Sequence, residues 1–130
     1  MARLLDYLLL AVAGGAGTLL RVGCNTLAAR LAGAGSAWAG IWATLAVNVL
    51  GSFAFGLIYA ASQSRPLLPE PQRAIVLVGL LGGFTTYSTF AFQAAELAGN
   101  GRAVVAVGYV AATTLLAIGA AWAGLRLGAA

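Results

Sequence analysis

Charge is spaced along this chain at membrane-length intervals. Between Arg102 and Arg126 lie 23 uncharged residues, and between Arg73 and Glu96 lie 22. A helix rising about 1.5 Å per residue needs about 20 apolar residues to cross a hydrocarbon core, so each block suits one span. Leu31 to Ser64 is uncharged for 34 residues, but its opening Gly33-Ala34-Gly35-Ser36 is a loop signal, which leaves about 38–62 as helix. Trp38 and Trp42 then fall near a membrane interface, where indole rings concentrate. From Tyr7 to Ala29 the only charge is Arg21, so a first span runs over about 4–27 with that Arg in its second half. A cleaved leader is the rival reading, since Arg3 precedes an apolar run and Ala11-Val12-Ala13 mimics a cleavage site. Against it, Gly14-Gly15-Ala16-Gly17 followed by more apolar chain reads as a close-packing helix face.

Composition points the same way. Only 8% of residues are charged and 62% are apolar, with a mean hydropathy of +0.95. A soluble domain carries roughly 25% charged residues, so this chain cannot clothe itself against water. The fold expected is an all-α integral membrane protein with four spans over about 4–27, 38–62, 72–97 and 102–127. Ser64-Arg65-Pro66-Leu67-Leu68-Pro69-Glu70-Pro71 holds all three prolines and links the second and third spans, and Gly99-Asn100-Gly101 is the turn before the fourth.

The same inventory removes most chemistry. Without His there is no Ser-His-Asp or Cys-His nucleophile and no imidazole metal site. Cys24 stands alone and reads as a small core residue. The pI of about 10.0 comes from Arg residues scattered singly, which flank membrane spans rather than form a nucleic-acid face. With a cytoplasmic N-terminus, Arg3, Arg65, Arg73 and Arg126 lie inside and Arg30 and Arg102 outside, a weak orientation bias. A chain that inserts both ways can pair head to tail as an antiparallel dimer.

Polar residues within spans are the functional pointers, because each is costly in lipid. Thr44, Asn48, Gly51, Ser52 and Phe55 share one face of the second span. Asn48 either bonds a neighbouring helix or offers its amide N–H groups to an anion. Gly82-Gly83-Phe84-Thr85-Thr86-Tyr87-Ser88-Thr89-Phe90 is poor material for a continuous lipid-facing helix. It reads either as a mid-membrane break, whose freed backbone groups hold an ion, or as a glycine-packed, hydroxyl-bonded contact. Tyr87 and Phe90 share a face, and their ring edges are weakly positive. Tyr109 and Thr113 lie one turn apart and either extend a polar track or bond back to their own helix. Gly124 and Gly128 form a small-residue contact face.

Taken together, Gly14-Gly15-Ala16-Gly17-Thr18-Leu19-Leu20-Arg21, Thr44-Leu45-Ala46-Val47-Asn48-Val49-Leu50-Gly51-Ser52-Phe53 and the Gly82 to Phe90 run resemble the Fluc (CrcB) fluoride channel family. The resemblance implies an antiparallel, dual-topology homodimer in the cell inner membrane, exporting cytoplasmic fluoride passively through two pores along the subunit interface. It implies a third helix broken at mid-membrane, where the carbonyls of Gly82 and Thr85 hold a structural Na⁺. Tyr87 and Phe90 would be the aromatic box lining the pores, with Asn48, Ser88, Thr113 and Tyr109 as further pore residues and Arg21 at the vestibule. Three positions depart from the family: Tyr87 stands where Phe is usual, Gln93 where Glu is frequent, and Ala117 where Ser is frequent. The competing class, a small multidrug-type proton-coupled exporter, needs a membrane-embedded carboxylate, whereas Asp6, Glu70 and Glu96 sit at helix ends or in a loop.

Overall fold

A computed structural model describes residues 2–33, 36–64 and 68–130. Ala34 and Gly35 of the first expected loop, and Arg65, Pro66 and Leu67 of the second, lie outside the described residues. So does the Arg65 charge counted for orientation.

The described chain is all-helical, and four of its helical stretches are long and apolar enough to cross a membrane. Helix α1 covers Ala2–Ala32 and α2 covers Ala37–Ser64, each longer at both ends than the charge spacing suggested. The third stretch, Glu70–Gly99, is composite: α3 (Glu70–Ala74), a π-helical segment (Ile75–Leu81), α4 (Gly82–Phe84) and α5 (Tyr87–Gly99). Helix α6 covers Ala103–Gly128. Helix α3 starts with Pro at its second position, where a missing N–H costs nothing, and Arg73 pairs with Glu70 within it.

In lipid, apolar surface gains little by leaving one apolar medium for another, so helices associate by close approach and dispersion. Two glycine seams do this. A methyl on Gly17 would collide with the Leu80 carbonyl and come within 2.8 Å of the Phe84 nitrogen; one on Gly83 would run into the Gly14 carbonyl. A methyl on Gly79 would lie 3.0 Å from the Leu10 carbonyl. Thus α1 meets the third stretch backbone to backbone. Gly79 and Gly83, four residues apart across the end of the π-helical segment, both face α1. The second seam joins α2 to α6, where Gly56 faces the Ala121 carbonyl and Gly124 and Gly128 face the carbonyls of Phe53 and Leu57.

Of the first glycine cluster, Gly15 takes no part, having nothing within 4 Å. Cys24 corrects the sequence reading, because it is exposed rather than in the core. It follows Gly17 on the same face of α1, but the packed partner ends at Phe84 and α5 diverges from α1.

The turn after α5 is a Schellman motif: Arg102 N–H donates to the Leu97 carbonyl at 2.9 Å and Gly101 N–H to Ala98 at 3.1 Å. Gly101 has φ +74°, a value that needs glycine.

Candidate functional site

Between α4 and α5 the chain leaves the helix for two residues. Thr85 has φ −77° and ψ 159°, and Thr86 has φ −151° and ψ 113°. Some of the backbone groups released there find side-chain partners, as buried polar groups tend to. Asn48 Nδ2 donates to the Thr86 carbonyl at 3.1 Å, and Thr86 N–H donates to Asn48 Oδ1 at 2.8 Å. The asparagine thus bonds a neighbouring segment on both edges of its amide, and one of its two N–H bonds is left over. Thr86 Oγ1 caps α5 by accepting from Thr89 N–H at 3.3 Å, and it donates to Thr89 Oγ1 at 3.0 Å. On the other side of the interruption, Arg21 Nε donates to the Gly83 carbonyl at 3.3 Å, and the Thr85 hydroxyl donates to the Leu81 carbonyl at 3.0 Å.

Four carbonyls, those of Gly82, Gly83, Phe84 and Thr85, lose their helical donors in this arrangement, and that of Gly83 accepts from Arg21 instead. The Thr86 N–H that would close on Gly82 goes to Asn48, and the Thr89 N–H that would close on Thr85 goes to Thr86 Oγ1. Among the described residues, no group of three or more His, Cys, Asp or Glu side chains could hold a metal ion.

Next to the interruption lies an open cleft of about 610 Å³. It gathers Asn48, Gly82, Thr85, Tyr87, Phe90 and Thr113 from the second, third and fourth long helices, and none of the described residues in its lining is charged. Tyr87 and Phe90 rings lie 5.7 Å apart and tilted by 58°, but Tyr87 is 80% exposed whereas Phe90 is 7% exposed. Spacing put them on one face and could not foresee that one ring would end at the rim and the other in the wall. Thr113 is buried, and its Oγ1 has no hydrogen-bond partner, so it does not bond back to its own helix.

Three expected site residues sit outside this lining. Tyr109 is buried behind Phe90, centroids 5.3 Å apart, and its hydroxyl donates to Gln93 Oε1 at 2.8 Å. Ser88 is exposed at the start of α5, its Oγ 3.4 Å from Thr86 Oγ1. Arg21 lies on the α1 side of the interruption. The cleft also takes in Tyr59 and Thr114, which sequence reasoning missed; each lies on a lipid-length helix where a lone hydroxyl is ordinary. Gln93 had carried only a departure from a family pattern, although an amide within a span always needs a partner.

The family described as CrcB-like protein, Camphor Resistance (CrcB), matches residues 8–125. The chain is 39% identical over 119 residues to the fluoride-specific ion channel FluC of Solidesulfovibrio magneticus, covering 92% of each. It is 42% identical to FluC of Rhodospirillum centenum, covering 92% of this chain and 94% of the relative. Identity to FluC of Pseudomonas syringae pv. tomato is 37%, with the same coverage.

Proposed function

The chain belongs to the CrcB-like family, and from that premise we propose that it is a multi-pass, fluoride-specific ion channel that lets cytoplasmic fluoride leak out of the cell. The observation that carries this reading is the cleft's lining. Among the described residues it offers an amide, hydroxyls and ring edges, all weak donors, and no charge. A dehydrated fluoride needs such a field, since a fixed positive side chain would hold it too tightly to release. Proton-coupled export of a cation would need a carboxylate in this cleft, and Asp6, Glu70 and Glu96 are not in its lining. Passive leak suffices, because fluoride enters cells as neutral hydrofluoric acid and dissociates at neutral pH.

The exposed side of the cleft supports an assembly with a second copy. A second copy, inserted in the opposite orientation, covers the exposed Tyr87 and closes two pores in an antiparallel homodimer in the inner membrane. Phe90 and Tyr87 form the aromatic walls, Asn48 and Thr113 supply donors along the path, Ser88 stands at its rim, Tyr109 backs Phe90 with its proton committed to Gln93, and Arg21 draws anions toward the interruption.

Na⁺ fits the third stretch. The Gly82 and Thr85 carbonyls, stripped of helical donors, are hard oxygen ligands without charge, and two copies together would supply enough of them for one ion. Bound there, Na⁺ would be structural, neutralising the oxygen dipoles and tying the two copies together.

The direct test is fluoride efflux from proteoliposomes holding this protein alone, read with a fluoride electrode beside chloride controls. Selective efflux is expected. Its absence, with folded protein present, defeats the channel reading. Replacing Na⁺ with a bulky organic cation should lower dimer stability and flux together; unchanged values defeat the cation site.

A further inference from the structure

The arginines of this chain are not used alike. Arg73 pairs with Glu70, and Arg21 is committed to the Gly83 carbonyl. Arg102 and Arg126 lie against indoles instead: the guanidinium carbon of Arg102 is 5.7 Å from the centre of the Trp38 ring, and that of Arg126 is 5.1 Å from the centre of the Trp122 ring. Among the described residues neither has an acid within ion-pair distance. Both indoles are themselves exposed. The two pairs mark the ends of α6, with 24 residues from Arg102 to Arg126, which is about 36 Å along a helix axis. A hydrocarbon core is about 30 Å thick and about 40–45 Å with its headgroups, so the two arginines fall in the headgroup layers, one in each leaflet.

We propose that the two arginine-on-indole pairs are binding sites for the phosphodiester of membrane phospholipids, one site per leaflet. A guanidinium stacked on an indole is held in one orientation and keeps its in-plane N–H donors free. That planar fork matches two oxygens of a phosphate, and indoles concentrate at this depth of the bilayer. At the Arg102 end a cavity of about 220 Å³ adds Asn100 as a further donor and Glu96 as an acid not paired with Arg102. A phosphate that carries an ethanolammonium satisfies both charges there. None of the four paired residues lines the cleft assigned to a second copy, so covering that cleft does not by itself cover them. Turning the chain over in the membrane exchanges the two pairs, and a phosphate is gripped at each surface in either orientation. Such anchoring is independent of what the protein conducts.

The test counts lipid rather than flux. Delipidated protein in detergent is titrated with dioleoylphosphatidylethanolamine, and bound lipid is read by native mass spectrometry. Arg102→Gln and Arg126→Gln should each weaken binding at least about threefold, and the double variant at least about tenfold, because charge-assisted hydrogen bonds are lost at each end. Arg126→Lys keeps the charge without the planar fork and should fall between Arg126→Gln and the parent, and Trp122→Leu should weaken binding with the arginine still present. Glu96→Gln should weaken phosphatidylethanolamine more than phosphatidylglycerol. Dioleoylglycerol, with the same chains and no phosphate, should bind parent and variants alike. A double variant that holds phospholipid as the parent does overturns both sites, and an Arg126→Lys protein as good as the parent reduces the Arg126 site to bulk charge. Equal loss of the two lipids in Glu96→Gln overturns the zwitterion reading of the Arg102 end, and competition by inorganic phosphate makes the ligand a free anion rather than a lipid.

Discussion

The two halves of the third stretch are anchored by different chemistry. Upstream of Thr85, the chain lies against α1 through bare backbone, with Gly79 and Gly83 against Leu10 and Gly14, and Gly17 against Leu80 and Phe84. Downstream, α5 is held by side chains: Phe90, Leu97, Ala106 and Tyr109 form one buried cluster between α5 and α6. Backbone contact excludes everything, solvent and ion alike. Side-chain contact leaves gaps whose walls can be chosen, and the cleft touches α5 at Tyr87 and Phe90. A chain interrupted inside an apolar medium needs both kinds, one to hold its position and one to shape a passage.

The largest effect should come from breaking the upstream anchor. Gly83→Val drives methyl groups into the Gly14 carbonyl, with no flexible side chain to give way. A loss of about 3 kcal/mol is expected, the upper end for overpacking, read by denaturation in detergent. Gly15→Ala is the matched control: nothing lies within 4 Å of Gly15, and helix propensity should raise stability by up to about 1 kcal/mol. Equal behaviour of the two variants would mean that the upstream half is not packed on its backbone.

The downstream anchor should respond in function before stability. Phe90→Ile keeps apolar bulk but removes the ring edge between Tyr87 and Tyr109. Flux should fall at least about tenfold in protein that still folds, a barrier increase of about 1.4 kcal/mol. Conduction at the parent's rate would reduce the aromatic pair to packing and leave selectivity to Asn48 and Thr113.

A smaller effect is expected at the join between the halves. Arg21→Gln removes the Nε donor on Gly83, a long and half-buried bond, and should cost about 1 kcal/mol on the same denaturation curve. No change would show that the Gly83 carbonyl has a substitute partner.

Tyr87→Phe should matter least. The ring edge remains and the exposed hydroxyl is lost, so selective flux should stay within about twofold of the parent. Loss of fluoride-over-chloride discrimination would instead make that hydroxyl an anion ligand.

Much of this arrangement was legible in the residues. Charge spacing marked out the long helices, since a charge in lipid is costly whatever the fold. The Gly82 to Phe90 run left two readings open, a break and a glycine-packed contact, because paired glycines and Ser and Thr residues disfavour a lipid-facing helix without saying what replaces it. Gly124 and Gly128 named their own seam, as small residues at that spacing do. The positions of Asn48 and Thr113 on polar faces followed from helical periodicity alone.

Periodicity says which residues share a face and nothing about what stands opposite. That Asn48 takes both backbone groups of Thr86, that Tyr109 reaches Gln93, that Gly15 packs on nothing and that Cys24 is exposed beyond the end of α4 all depend on where separate helices cross. Residue order determined the helices and their lipid-facing character, because those depend on local propensity and the cost of charge in hydrocarbon. Tertiary structure alone decided which polar atoms are paired and which, like Thr113 Oγ1, are buried without a partner, because a hydrogen bond needs two groups within about 3 Å and only packing brings distant residues that close.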